Sequence, residues 1–162
     1  MKHVRTLIVL RHAKAVHVPG MEDRERPLTD RGERDAKRAG DEVRALGLAP
    51  DLVLCSPSVR TRQTAELAFP EVEVSYERDV YQAYPEELLA LVKLTDPALE
   101  TVVLCGHNPS VHELAISLAG GDYGFRPGAF AVIRTESDWV DLWPGQAQLV
   151  TRWDPKGEEV TG

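Results

Sequence analysis

Short apolar runs separated by amphipathic stretches set the organisation of this chain. Residues 7–10, Leu-Ile-Val-Leu, are apolar, partly β-branched and short, which makes them a buried strand. Residues 51–55 (Asp-Leu-Val-Leu-Cys) and 101–106 (Thr-Val-Val-Leu-Cys-Gly) read the same way, and 72–76 alternates like a strand. Between these runs the spacing turns helical. Ala36, Ala39, Gly40, Val43 and Leu46 recur on one face of a helix that begins near Thr29 or Asp30 and stops at Gly47. Asp30 to Glu33 has the spacing of a capping box. Ser56-Pro57 and Asn108-Pro109 each pair an N-cap residue with a first-turn proline. They open helices running to about Ala68 and to Gly120-Gly121. Pro85 opens another, with Leu88, Leu89, Leu91 and Val92 on its apolar side. Residues 130–134, 139–143 and 148–153 read as strands, with a Pro144-Gly145 turn between the last two. Residues 12–28 are irregular, and the polar tail from Asp154 to Gly162 is expected to fray.

Strands alternating with helices predict one α/β domain over residues 1–153: a three-layer sandwich with a largely parallel central sheet flanked by helices. The last strands are close in sequence, which adds an antiparallel edge strand. A length of 162 residues suffices for a substantial core, and 43% hydrophobic with 28% charged residues excludes a disordered chain. The net charge of −7 argues against nucleic acid or an anionic membrane as partner, while leaving room for a local basic pocket. No run reaches the length of a membrane span, and the four apolar residues after Met1–Thr6 do not make a signal peptide, so a cytoplasmic location is expected. Cys55 and Cys105 each end an apolar run and read as buried free thiols.

In open parallel sheets, ligands bind beyond the carboxyl ends of the strands. Three predicted strands end on groups suited to anion chemistry. Arg11-His12 follows the first, Arg60 lies in the first turn of the helix after the second, and His107 follows the third. Two of these ends also precede helix N-termini, which favour anions. Arginine presents a fixed fork of donors to phosphate oxygens and stays charged. A neutral imidazole is a nucleophile near pH 7. Together they suit phosphoryl transfer, which needs positioning and charge stabilisation, with no metal or cofactor required. The chain contains neither a GxxxxGK[ST] nor a GxGxxG pattern, against a nucleotide-binding reading.

The segments Leu-Arg-His-Ala-Lys-Ala (10–15), Arg-Pro-Leu-Thr-Asp-Arg-Gly (26–32), Ser-Pro-Ser-Val-Arg-Thr-Arg-Gln-Thr-Ala (56–65) and Gly-His-Asn-Pro (106–109) resemble the histidine phosphatase superfamily, which has the phosphoglycerate-mutase-like fold. The short chain and the Arg-Pro-Leu-Thr and Gly-His-Asn-Pro segments look most like its small, SixA-type phosphohistidine phosphatase branch. The resemblance implies that His12 is the nucleophile and becomes phosphorylated. Arg11 and Arg60 would clamp the phosphoryl oxygens, and His107 would donate to the same group. Arg26, Thr29, Gln82 and Asn108 are candidates for the pocket lining. Arg62, two residues beyond Arg60, is turned away by the helix. Two positions depart from the family pattern. Ala13 stands where glycine is usual, and Gln82 falls where many members carry a glutamate as general acid; Glu86 and Asp79 are the nearby carboxylates. A missing acid favours a labile phosphoramidate over a phosphate ester. The implied substrate is therefore a phosphorylated protein bearing phosphohistidine, with a small phosphorylated metabolite as the alternative, and a non-catalytic phosphate-binding module as the less favoured one. The short 13–28 segment predicts a shallow, open pocket.

Overall fold

In the computed structural model, which describes residues 4–157, the first apolar run grows into the strand β1 (Arg5–Arg11). Its side chains alternate between two cores, Leu7 and Val9 in one, Ile8 and Leu10 in the other. Both sheet faces must therefore be covered. On one face α1 (Asp30–Ala45) and α2 (Val59–Ala68) bury Ala39, Val43, Ala65 and Ala68. On the other, α3 (Pro85–Lys93) and α4 (Ser110–Ala119) bury Leu88, Val92, Val111, Leu114 and Leu118. The result is the expected three-layer sandwich.

The remaining strands are β2 (Leu52–Cys55), β3 (Val74–Tyr76), β4 (Thr101–Gly106), β5 (Phe130–Thr135) and β6 (Gln148–Trp153). The sheet order is β3-β2-β4-β1-β5-β6. The pairs β1–β4, β2–β4 and β2–β3 are parallel, and β5 runs antiparallel to both β1 and β6. The reversed strand is thus internal, with β6 at the edge.

Several boundaries differ from the sequence expectation, each for a local reason. Residues 139–143 are no strand: Trp139–Asp141 is a single 3-10 turn. Trp139 and Leu142 are buried three residues apart, and the Trp139 indole N–H donates to the Leu99 carbonyl (2.8 Å), so this stretch packs inward rather than pairing with a neighbour. Thr29, rather than Asp30, caps α1, its Oγ1 accepting from Gly32 N–H at 3.0 Å. The helix α2 starts after Ser58 because Ser56 Oγ accepts from Ser58 N–H (3.3 Å) in a preceding turn. The helix α4 likewise starts only after Pro109. Of residues 72–76, only Val74–Tyr76 forms a strand. The tail does not fray at Asp154: Pro155 is buried and its carbonyl accepts from Arg38 Nη1 at 2.9 Å. Residues 1–3 and 158–162 lie outside the described residues. Both cysteines are free and buried.

One close approach positions the site. A Cβ at Gly32 would stand 2.1 Å from the Lys14 carbonyl oxygen, so only glycine lets α1 pack onto the segment that follows β1.

Candidate active site

The strands β1, β4 and β2 lie side by side, with Arg11 level with Gly106 and Cys55 level with Cys105. Whatever follows these three strands must converge. His12 N–H donates to the Gly106 carbonyl at 3.0 Å, and the His12 carbonyl accepts from Gly128 N–H at 2.9 Å. The side chain is 9% exposed, and its Nδ1 faces the Ala13 carbonyl at 2.7 Å. A carbonyl only accepts, so Nδ1 carries the proton and Nε2 keeps its lone pair.

His107 follows β4, and its ring centre is 5.4 Å from that of His12. Its Nδ1 meets Arg60 Nη2 at 3.2 Å and its Nε2 meets Ser56 Oγ at 2.8 Å. A guanidinium only donates, so Nδ1 accepts and Nε2–H donates to the serine. Arg60 is 6% exposed, and Thr64 ties its helix to the end of β1. Thr64 Oγ1 donates to the Arg60 carbonyl (2.7 Å) and accepts from Ala13 N–H (3.0 Å). Arg11 Nη1 donates to the Phe125 carbonyl at 2.9 Å. Among the described residues, Arg11 Nε and Arg60 Nε are buried without a hydrogen-bond partner. Such donors are costly in a dry site. Two of them beside two imidazoles fit an anionic ligand.

A cavity of about 420 Å³ opens outward from Arg60 and His107. Gln82 lines it with a left-handed backbone, φ 55°, the one positive φ outside glycine among the described residues. Asn108 lines it too, and its Nδ2 donates to the same Phe125 carbonyl that Arg11 uses (2.9 Å). Thr29 is occupied as the α1 cap. Arg26 braces the 13–28 segment: Nε donates to the Val16 carbonyl (2.9 Å) and Nη1 to Asp23 Oδ1 (3.0 Å). Ala13 is buried with an ordinary negative φ, so the site does not require glycine there. Arg62 is exposed and lies over the Tyr76 ring, away from the site. Glu86 and Asp79 are exposed and off the cavity wall.

The carboxylates that do line the cavity are Asp23 and Glu113. Neither is singled out by sequence reasoning, nor are Tyr81 and Ser56. Asp23 occupies Arg60: Nη1 donates to its carbonyl at 2.6 Å and Nη2 to Oδ2 at 2.8 Å. Tyr81 OH donates to the same Oδ2 at 2.7 Å. Tyr81 and Arg60 together hold the carboxyl at a pKa of about 2, ionised across the working range. The segment expected to leave the pocket open thus folds a carboxylate over its main cation.

Burial holds His12 at about 3, from an ordinary 6.5, with the nearby His107, Arg60 and Arg11 adding to the effect. Burial, then Arg60, holds His107 at about 4. Both rings are neutral at pH 7. Below about pH 6.5 the unfolded chain binds protons that these folded histidines refuse, so stability falls with pH, by up to ~1.4 kcal/mol per pH unit for each ring. Urea midpoints are expected to drop more steeply between pH 6.5 and 5 for the wild type than for a His12→Ala/His107→Ala variant. Parallel curves would show that the rings are not held neutral.

Comparison with known proteins accords with this geometry. Residues 7–80 match the model of the histidine phosphatase superfamily (branch 1). An uncharacterized protein of Mycobacterium tuberculosis is 34% identical over 152 residues, covering 87% of this chain and 96% of its own length. A candidate phosphohistidine phosphatase SixA from Nakamurella multipartitia superimposes with a TM-score of 0.87 at 32% identity, covering 94% of this chain and 96% of that one. A second, from Agrobacterium tumefaciens, gives 0.80 at 28% identity, covering 93% and 98%. These matches place the strand-end histidine, the half-buried Arg11 and the buried Arg60 in a known frame: the chain belongs to the histidine phosphatase superfamily and is a phosphatase of its SixA type.

Proposed function

We propose that the chain removes the phosphoryl group from phosphohistidine on a protein, without a metal, through a phosphorylated His12. The observation that carries this is the His12 ring: buried, neutral, and held by the Ala13 carbonyl so that Nε2 is the free nitrogen. In the first step Nε2 attacks phosphorus, and the bond from phosphorus to the substrate imidazole breaks. Arg11 and Arg60 neutralise the charge on the phosphoryl oxygens. His107 exchanges its contact with Arg60 for one with the phosphoryl group, whose negative charge lets Nδ1 take up a proton from solvent and donate it as a hydrogen bond to a phosphoryl oxygen. In the second step water attacks phosphorus, releasing inorganic phosphate and restoring His12.

The leaving group follows from which acids reach the cavity. Gln82 lines it but holds no acidic proton, Asp23 is kept ionised, and Glu113, the other carboxylate on the wall, is exposed in the first turn of α4, where the helix N-terminus favours a negative charge. An alkoxide would leave poorly from such a site, whereas an imidazole leaves from a labile phosphoramidate. The SixA neighbours are candidate phosphohistidine phosphatases, which supports the same substrate. The test is phosphate release, with EDTA present, from a phosphohistidine-bearing protein, from p-nitrophenyl phosphate and from a sugar phosphate. Turnover is expected to be greatest on the phosphohistidine protein. A faster sugar phosphate would move the reading to small phosphomonoesters. Binding without release from any of the three would move it to a phosphate-binding module.

A further inference from the structure

Beyond Tyr81 lies a second cavity, of about 280 Å³, separate from the site just described. Arg24, Arg62 and Arg78 line it against a single carboxylate, Glu25. These arginines come from three different elements: the 3-10 turn Asp23–Glu25, α2, and the 3-10 turn Arg78–Val80. Chain proximity therefore does not force them together, and their convergence runs against a net charge of −7. Among the described residues none of the three forms an ion pair, whereas Arg5, Arg26, Arg38, Arg44 and Arg60 each do. Arg24 instead lies over the Tyr81 ring (5.4 Å) and Arg62 over the Tyr76 ring (5.2 Å). Such stacking steadies the guanidinium plane and leaves its edge donors available to an anion.

We propose that this cavity docks an acidic polypeptide segment of the phosphoprotein substrate, close in its sequence to the phosphorylated side chain. The inference rests on the reading of the chain as a protein phosphohistidine phosphatase. Tyr81 stands between the two cavities, its hydroxyl on Asp23 and its ring beneath Arg24. A small metabolite held at Arg60 by its own phosphate is walled off from the second cavity. An extended chain, at about 3.3 Å per residue, passes over Tyr81 and reaches both. Exposed guanidiniums bind single carboxylates weakly, so recognition calls for several Asp or Glu side chains together.

The experiment compares wild type with Arg62→Gln/Arg78→Gln, which leaves the Arg24–Tyr81 stack in place. The substrates are two phosphohistidine peptides, one flanked by Asp and Glu and the other by Asn and Gln, with p-nitrophenyl phosphate as a third. The double variant is expected to raise KM for the acidic peptide about five- to tenfold, with kcat unchanged. KM for the neutral peptide and for p-nitrophenyl phosphate should stay as in wild type. Equal KM values for the two peptides on wild type, or an equal loss on both in the variant, would overturn the docking surface. In parallel, the unphosphorylated acidic peptide, fluorescently labelled, is titrated onto both proteins. Weaker binding to the variant, with neither phosphopeptide hydrolysed, would sustain the surface and remove the phosphohistidine reading. Binding indifferent to the two arginines would overturn the surface whatever the turnover.

Discussion

Replacing His12 with alanine is expected to lower kcat by about 10⁴-fold or more on every phosphorylated substrate, the scale of losing a covalent nucleophile. No other group in the site combines its features. His107 is the nearest imidazole, but its Nδ1 accepts from Arg60 and its Nε2–H is given to Ser56. His12 commits only Nδ1, to a carbonyl one residue away. The fold should survive the change. The strand ahead of the site is held by pairing on both sides, and His12 itself by backbone bonds to Gly106 and Gly128. Losing the imidazole leaves the Ala13 carbonyl without that bond, a penalty of about 1–3 kcal/mol. The decisive measurement is brief exposure to ³²P-labelled substrate followed by quenching at high pH, where a phosphohistidine persists. Wild type should retain protein-bound label and His12→Ala should retain none, while the variant still unfolds in one cooperative transition, its urea midpoint lower by about 1 M. Label on the variant would assign the nucleophile elsewhere.

Arg11, His12 and His107 stand out in the sequence because each is punctuation at the end of a strand, and Arg60 because it lies in the first turn of the helix that follows one. A buried parallel strand is a continuous apolar run, so the residue that breaks it is conspicuous. The ladder pairings then make the ends of β1, β4 and β2 level, a consequence of register that local pattern implies once the sheet order is known. The helices were legible for a similar reason, with boundaries off by the few residues that the Ser56 and Asn108 turns consume. Asp23 and Tyr81 were not legible. They sit in or beside single 3-10 turns, where no periodicity reports which way a side chain faces. Their meeting at Arg60 depends on a contact 37 residues apart in sequence for Asp23, fixed by how Arg26 ties the segment to Val16. Residues 139–143 misled because aromatic and β-branched residues favour strands. There, burial of Trp139 against Leu99 overrode the propensity.

Arg60→Ala should reduce kcat/KM by about 10²–10³-fold, ~3–4 kcal/mol, the effect of removing one charged donor from a water-poor site. Arg60→Lys should recover little, since a point charge cannot reproduce the fork that reaches two acceptors at once. The same arginine is engaged by Asp23 through Nη1 and Nη2, so a phosphoryl group competes with a carboxylate for it. Asp23→Asn removes the competing charge and keeps the shape. It is expected to tighten binding of inorganic phosphate several-fold, read by calorimetry. The two substitutions share one guanidinium and therefore cannot add. In the Arg60→Ala background Asp23→Asn should change phosphate affinity little, because nothing remains for the carboxylate to contest. If Asp23→Asn instead weakens phosphate binding in both backgrounds, the carboxylate acts as a partner of the ligand rather than its rival. A loss of less than tenfold on Arg60→Ala would move the clamp to Arg11. Contact geometry favours the first pair of outcomes: Asp23 meets Arg60 through both its carbonyl and its carboxylate, with Tyr81 completing the cradle that an anion would otherwise fill.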